Sequence, residues 1–170
     1  ILVTAILIKI DSKGPVFFTQ ERVGKNKKPY MLYKFRSMVE DAEKQSGPVW
    51  ASDNDKRITR VGSAIRKWRI DEIPQLWNVL RGNMSFVGPR PIRKHFADIL
   101  SEEIPFYRLR FLVKPGLTGW AQVKYDYAGS NEGQMEKLQY ELFYIQNQSL
   151  FFDTYIILKT IQTVLFRRGD

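Results

Sequence analysis

The first ten residues, Ile1–Ile10, are apolar except for Thr4 and Lys9, and any fold has to remove them from water. As a helix they rise ~15 Å, about half of a ~30 Å hydrocarbon core. Alone they cannot span a bilayer. Two readings follow: a helix or strand buried in a core, or the end of a membrane-inserted segment. The chain opens at Ile1 inside this run, as expected of a fragment that continues upstream, and no Arg-rich region or cleavage site marks a complete signal peptide.

The remaining sequence is that of one globular domain of 170 residues, with 44% hydrophobic and 26% charged residues, no low-complexity tract and no internal repeat. Asp11-Ser12-Lys13-Gly14-Pro15 breaks the apolar start. Val16–Val23 and Tyr30–Met38 then read as two strands around the turn Gly24–Pro29. Val39–Lys56 is polar and reads as a helix start followed by a loop. The spacing predicts helices over Val61–Trp68, Asp71–Arg81, Lys94–Leu100, Asn131–Gln148 and Leu150–Arg168. In the second of these, Ile73, Leu76, Trp77 and Leu80 share one apolar face, Asp71 suits the N-cap and Gly82 the C-terminal end. The expected class is α+β, mainly helical with a small β-hairpin.

A net charge of +9 points to an anionic partner: nucleic acid, acidic lipid or a phosphorylated substrate. Zero cysteines exclude thiolate chemistry and a cysteine zinc site, and the single His95 leaves no His/Cys metal cluster. His95 itself reads as a surface or helix-start residue. Carboxylates and cations must therefore carry most of any chemistry.

The sharpest constellation is Arg66-Lys67-Trp68-Arg69-Ile70-Asp71-Glu72. Adjacent carboxylates at a helix start can simply complement the helix dipole. Following three cations, they can also serve phosphoryl transfer, with one carboxylate as nucleophile and its neighbour on a magnesium ion whose other ligands are phosphate oxygens. The cations are expected to hold Asp71 ionised and to bind phosphate. Arg90, framed by Pro89 and Pro91, is either a fixed phosphate clamp or a solvated turn residue. Lys34 and Arg36 share a face if the strand continues through them, converging on one anion or forming an ordinary polar face. Asp53-Asn54-Asp55 matches the Asp-x-Asp metal signature of nucleotide-sugar glycosyltransferases, a triplet also common in loops.

Six runs bring these readings together: Gly14–Gly24 (GPVFFTQERVG), Lys34–Met38 (KFRSM), Arg57–Gly62 (RITRVG), Asp71–Leu80 (DEIPQLWNVL), Met84–Pro91 (MSFVGPRP) and Lys114–Val123 (KPGLTGWAQV). In this order they resemble the bacterial sugar transferases, the monotopic polyprenyl-phosphate phosphoglycosyl transferases, over nearly the whole chain. The resemblance implies that Asp71 is the nucleophile and that Glu72 holds Mg2+. Lys34, Arg66 and Arg90 match basic positions around the phosphates, Arg36 is grouped with them as a phosphate-binding candidate, and Asp153 matches an acidic position of unspecified role. The implied partners are a nucleoside diphosphate sugar, polyprenyl (undecaprenyl) phosphate and membrane lipids. No nucleic acid is implied, and a homo-oligomer is compatible. The implied place is the cytoplasmic face of a bacterial inner membrane. Ile1–Ile10 then reads as the end of a membrane-penetrating helix, and Pro105–Lys114 and Leu150–Arg168 as interfacial segments with cations near headgroups. An Asp-x-Asp glycosyltransferase lacks the expected βαβ and Gly-rich features. A basic nucleic-acid module would leave Ile1–Ile10 and the acidic pair unexplained. Tyr125–Gly133 is a guess for the sugar loop.

Overall fold

A computed structural model describes residues 1–44, 47, 55–125 and 131–166. By contacts the chain forms two compact units, one of residues 1–20 and 33–75, the other of residues 21–32 and 76–170. The class is α+β, with two small two-stranded sheets among seven α-helices in the described residues.

In the first unit, α1 (Leu2–Asp11) is the apolar start. Ile8 alone of its residues is buried, packing with Phe35 and Ile65 and against Val16, Val61 and Ile70. Leu2, Val3, Ile6, Leu7 and Ile10 stay exposed, Ile10 at 78%. A single inward residue in ten does not make a core helix. No helix among the described residues is long and apolar enough to cross a membrane.

β1 (Phe17–Val23) and β2 (Pro29–Phe35) pair through the expected short turn. β2 stops at Phe35, before Met38, because the Arg36 N–H goes to the Val16 carbonyl and the chain leaves the ladder. Phe17 stacks on Phe35 at the open end, with ring centroids 5.4 Å apart. Met38 instead bridges Ile58. α2 (Arg60–Lys67) starts at Thr59, whose hydroxyl accepts from the Gly62 N–H, while Asp11 Oδ2 accepts from the Val61 N–H.

The helix expected over Asp71–Arg81 is a 3-10 helix, Ile70–Gln75, followed by the short α3 (Leu76–Leu80). Pro74 has no N–H to give the Ile70 carbonyl, so an α-helical register cannot run through it. Asp71 is accordingly inside the 3-10 turn and not an N-cap. The apolar face is also not a core face: Ile73, Leu76, Trp77 and Leu80 are all exposed, Leu80 at 79%. Gly82 (φ +75°) does end α3, its N–H returning to the Val79 carbonyl.

In the second unit, β3 (Ser85–Val87) and β4 (Gly116–Thr118) run parallel, with Ser85 opposite Gly116 and Val87 opposite Thr118. A Cβ on Gly116 would collide with the Gly88 backbone, so glycine is required there. α7 (Leu150–Phe166) packs on this ladder, α5 (Trp120–Lys124) against α6 (Asn131–Gln146) and α7, and α4 (Lys94–Glu103) and α6 against the 3-10 turn of Tyr107–Leu112. Val23, Ile92, Ala97, Leu100, Ile104, Tyr107, Phe111 and Leu138 form the main core. Val87, Tyr144 and Ile156 form another with Trp120 and Phe152 against them. α7 buries Ile156 completely but leaves Leu150, Phe151, Leu158, Ile161 and Leu165 exposed.

In the Pro105–Lys114 segment one of the expected headgroup cations, Arg110, is turned inward. Residues Tyr107–Leu112 form a 3-10 helix that turns Tyr107, Arg110 and Phe111 inward and leaves Phe106, Arg108, Leu109 and Leu112 outside. Arg110 is no headgroup cation; it is buried in an ion pair with Glu141.

Candidate active site

The turn between α2 and the 3-10 helix places the acidic pair. The Arg69 N–H bonds the Arg66 carbonyl, and Arg69 then adopts φ +55°, the left-handed region that a side chain rarely enters. Such a conformation costs about 1–2 kcal/mol. The Glu72 N–H closes the turn on the Arg69 carbonyl at 3.1 Å. This reversal turns Asp71 and Glu72 inward, and each is only 7% exposed.

The two carboxylates are held differently. Glu72 Oε1 accepts from Lys34 Nζ at 3.0 Å, with Arg69 NH1 at 3.9 Å. Asp71 Oδ1 is buried with no hydrogen-bond partner. Burial raises the Asp71 carboxyl above the usual carboxylate range; Lys34, Arg66 and Arg69 pull it down and Glu72 pushes it up. The cations were expected to keep Asp71 ionised, but desolvation outweighs them in direction. A buried, unpartnered carboxylate oxygen beside three cations is poised for an electrophile or cation that arrives with a ligand.

Lys34, Arg66, Asp71 and Glu72 thus come together within the first unit. Arg36 does not join them. Its guanidinium is buried and donates to the carbonyls of Lys13, Ser12 (2.8 Å) and Ile8 (3.4 Å). It closes the C-terminal end of α1, which accounts for its charge without a phosphate. The shared-face expectation for Lys34 and Arg36 fails because the strand ends between them.

Arg90 and Asp153 belong to the second unit. Backbone bonds fix the turn before Arg90: the Gly88 N–H to the Thr118 carbonyl and the Gly116 N–H to the Pro89 carbonyl, both 2.9 Å. Its own carbonyl accepts from Arg110 NH2 at 2.8 Å. Asp153, in the first turn of α7, accepts from the Tyr144 hydroxyl at 2.8 Å. Burial and that carboxylate push the Tyr144 phenol far above its ordinary value.

Asp55 is engaged elsewhere. Arg57 Nε (2.8 Å) and NH2 (2.5 Å) clamp its carboxylate, and this clamp holds it down to about 2. Asp53 and Asn54 lie outside the described residues, as do 126–130 of the guessed sugar loop and Arg167 and Arg168. His95 is exposed on α4, its ring edge-on to Phe96. Sequence reasoning missed Arg69 as the residue that turns the acidic pair, and the buried Arg110–Glu141 pair. Neither has a local signal: the first lies in a backbone angle, the second joins residues 31 positions apart.

No group of three or more His, Cys, Asp or Glu side chains able to hold a metal occurs among the described residues. Two adjacent carboxylates do suit Mg2+, which commonly takes one or two protein carboxylates and completes its shell with water and phosphate oxygens. The orphaned Asp71 Oδ1 and the partly committed Glu72 fit that demand.

The family model described as bacterial sugar transferase matches residues 1–167. An Aeromonas hydrophila UDP-N-acetylgalactosamine-undecaprenyl-phosphate N-acetylgalactosaminephosphotransferase is 51% identical over 96% of this chain and 38% of its own length. A Rhizobium leguminosarum exopolysaccharide production protein is 42% identical over 98% of this chain and 86% of its own. A Caulobacter vibrioides UDP-glucose:undecaprenyl-phosphate glucose-1-phosphate transferase is 40% identical over 97% and 62%. The chain thus spans well under half of the Aeromonas relative. With a family match along almost its whole length, the chain belongs to the bacterial sugar transferases.

Proposed function

We propose that this chain transfers a sugar-1-phosphate from a UDP-sugar to polyprenyl phosphate in two displacements. An Asp71 carboxylate oxygen attacks the sugar-bearing phosphorus; a new O–P bond forms as the bond to the bridging oxygen breaks, and uridine monophosphate leaves. A phosphate oxygen of the lipid acceptor then attacks the same phosphorus. The Asp71–phosphorus bond breaks, regenerating the carboxylate and giving a polyprenyl diphosphosugar, the first membrane step of polysaccharide or glycoconjugate assembly. The single observation that carries this reading is the buried, unpartnered Asp71 Oδ1 beside the Lys34–Glu72 pair.

Lys34, Arg66 and Arg69 offset the diphosphate charge during attack. Glu72, with phosphate oxygens, would hold Mg2+, which supplies Lewis-acid neutralisation of that diphosphate when bound. Arg90 and Asp153 are assigned to substrate by the family resemblance, Arg90 to phosphate. The exposed apolar residues of α1 and α7 support attachment to the cytoplasmic face of a bacterial inner membrane, their side chains entering lipid without spanning it.

The named relatives suggest where to begin with donors: the Aeromonas N-acetylgalactosamine enzyme is 51% identical, the Caulobacter glucose enzyme 40%. Purified protein given polyprenyl phosphate should release uridine monophosphate faster from UDP-N-acetylgalactosamine than from UDP-glucose. Release of uridine diphosphate instead would mean ordinary glycosyl transfer and would overturn the reading. Glu72→Gln should move the magnesium titration of this release by about 10-fold or more. An unchanged titration would remove Glu72 from the metal.

A further inference from the structure

Two demands on Glu72 conflict. As a metal ligand it must offer its negative charge to a divalent ion, yet the structure pairs it with a cation of its own chain. Lys34 Nζ lies 3.0 Å from Glu72 Oε1, and Arg69 NH1 follows at 3.9 Å, beyond hydrogen-bond reach. The Glu72 side chain is 9% exposed and that of Lys34 22%, so solvent reaches the ammonium more readily than the carboxylate.

Both partners are fixed from behind. Lys34 is the penultimate residue of β2, and the next, Phe35, is buried with Ile8 and Ile65. Side chains alternate along a strand, so anchoring Phe35 in that core sends Lys34 to the other face. Glu72 is set by the turn that closes on the Arg69 carbonyl. The four-carbon lysine stem is the most adjustable part of the pair.

A carboxylate this buried needs a counter-charge, because an uncompensated one is costly to keep out of water. Lys34 meets that need. An ammonium and a divalent ion on one carboxylate draw on the same negative charge and repel one another, whichever oxygen each uses. Mg2+ also sheds its water reluctantly and takes further ligands from phosphate oxygens. A diphosphate resolves the conflict, since it brings negative charge for both cations at once.

We propose that Lys34 is a stand-in for the metal: it holds the Glu72 charge until a nucleoside diphosphate arrives, so that the divalent ion is taken up with the nucleotide and not before it. This order of binding rests on the reading of Glu72 as the metal carboxylate. Lys34 is in this respect a positioning residue, acting through Glu72 on when the metal can bind.

Metal binding without nucleotide tests this order. Mn2+ serves as the probe, an ion of like preference for oxygen ligands. Its free concentration is read from its paramagnetic resonance signal in titrations of the whole chain in detergent. Lys34→Met should bind Mn2+ about 10-fold or more tightly than wild type, while Lys34→Arg, which keeps a cation beside Glu72, should stay within about 3-fold of it. A lysine that only binds phosphate predicts unchanged Mn2+ constants. One that only holds Glu72 in place predicts weaker binding in Lys34→Met. Either result overturns the stand-in role.

If Lys34→Met fails to fold, Lys34→Gln carries the same comparison, because its amide can still donate to Glu72 but brings no charge. Adding Glu72→Gln to the tighter-binding variant should cancel the gain. A gain that survives this second change would place the ion on other ligands and overturn the proposal. None of these constants needs turnover, so unchanged binding in Lys34→Met leaves the Asp71 chemistry standing, and a failure of that chemistry leaves the constants readable.

Discussion

Asp71→Asn should abolish turnover and at the same time make the protein more stable. The loss of rate should be about 1,000-fold or more, because an amide cannot form the bond to phosphorus that splits the reaction in two. The gain in stability follows from burial. The folded protein binds the Asp71 proton more tightly than the unfolded chain does, since desolvation raises its carboxyl. Stability from that proton is full below the unfolded value and is lost as pH rises through the unfolded and then the raised folded value. Above that raised value the wild type carries a buried charge with an orphaned oxygen. The asparagine removes that charge, for about 1–3 kcal/mol. The midpoint of thermal unfolding should exceed wild type by about 2–10 °C at pH 7, shrinking towards zero near pH 3. Equal or lower stability at pH 7 would mean that Asp71 is not held against its preference, and retained turnover would mean that it is not the nucleophile.

Glu141→Gln should be the most damaging of the conservative substitutions. Arg110 and Glu141 are each 3% exposed in their side chains, and their two 2.8 Å bonds compensate both desolvation costs. Removing one charge strands the other, for about 3–5 kcal/mol. Lys137, one turn before Glu141 on α6, worsens the imbalance, since its charge and that of Arg110 repel. Thermal unfolding should shift down by about 6–20 °C. Adding Arg110→Met should restore part of the loss, because an apolar chain in that space carries no charge to desolvate. A single variant melting within about 2 °C of wild type would show that the pair contributes little.

These expectations rest on features of unequal visibility in the sequence. The hairpin was legible because its alternation and its turn are local. So was the position of Asp71 and Glu72 behind three cations, and the end of α3 at Gly82. What the local pattern could not supply was where each charge would be spent. Arg36 sits two residues after Lys34 and shares its chemistry, yet the chain leaves the ladder after Phe35 and Arg36 meets the carbonyls of Ser12 and Lys13 just past α1. Arg110 reads as one of several cations in Pro105–Lys114, but a three-residue period rotates it inward to a glutamate contributed by a distant helix.

The acidic pair shows the same division. Its residue types spoke for phosphoryl chemistry, though the α-helix expected to start at Asp71 is a 3-10 turn from Ile70. The turn that aims it was not visible, because Arg69 in the left-handed region is a conformation its side chain disfavours. The direction in which the Asp71 carboxyl is shifted was also misjudged from spacing alone. Counting neighbouring cations favoured a charged Asp71, whereas the degree of burial, a tertiary property, decides the sign.

The most direct test is intact-mass analysis of the purified chain quenched after mixing with magnesium and UDP-N-acetylgalactosamine, without lipid acceptor. The expected product is protein carrying one sugar phosphate, located on Asp71 by fragmentation, absent from Asp71→Asn, and discharged when polyprenyl phosphate is added. Uridine monophosphate formed only when the acceptor is present, with the protein mass unchanged throughout, would contradict a bond between Asp71 and phosphorus and leave a single direct displacement.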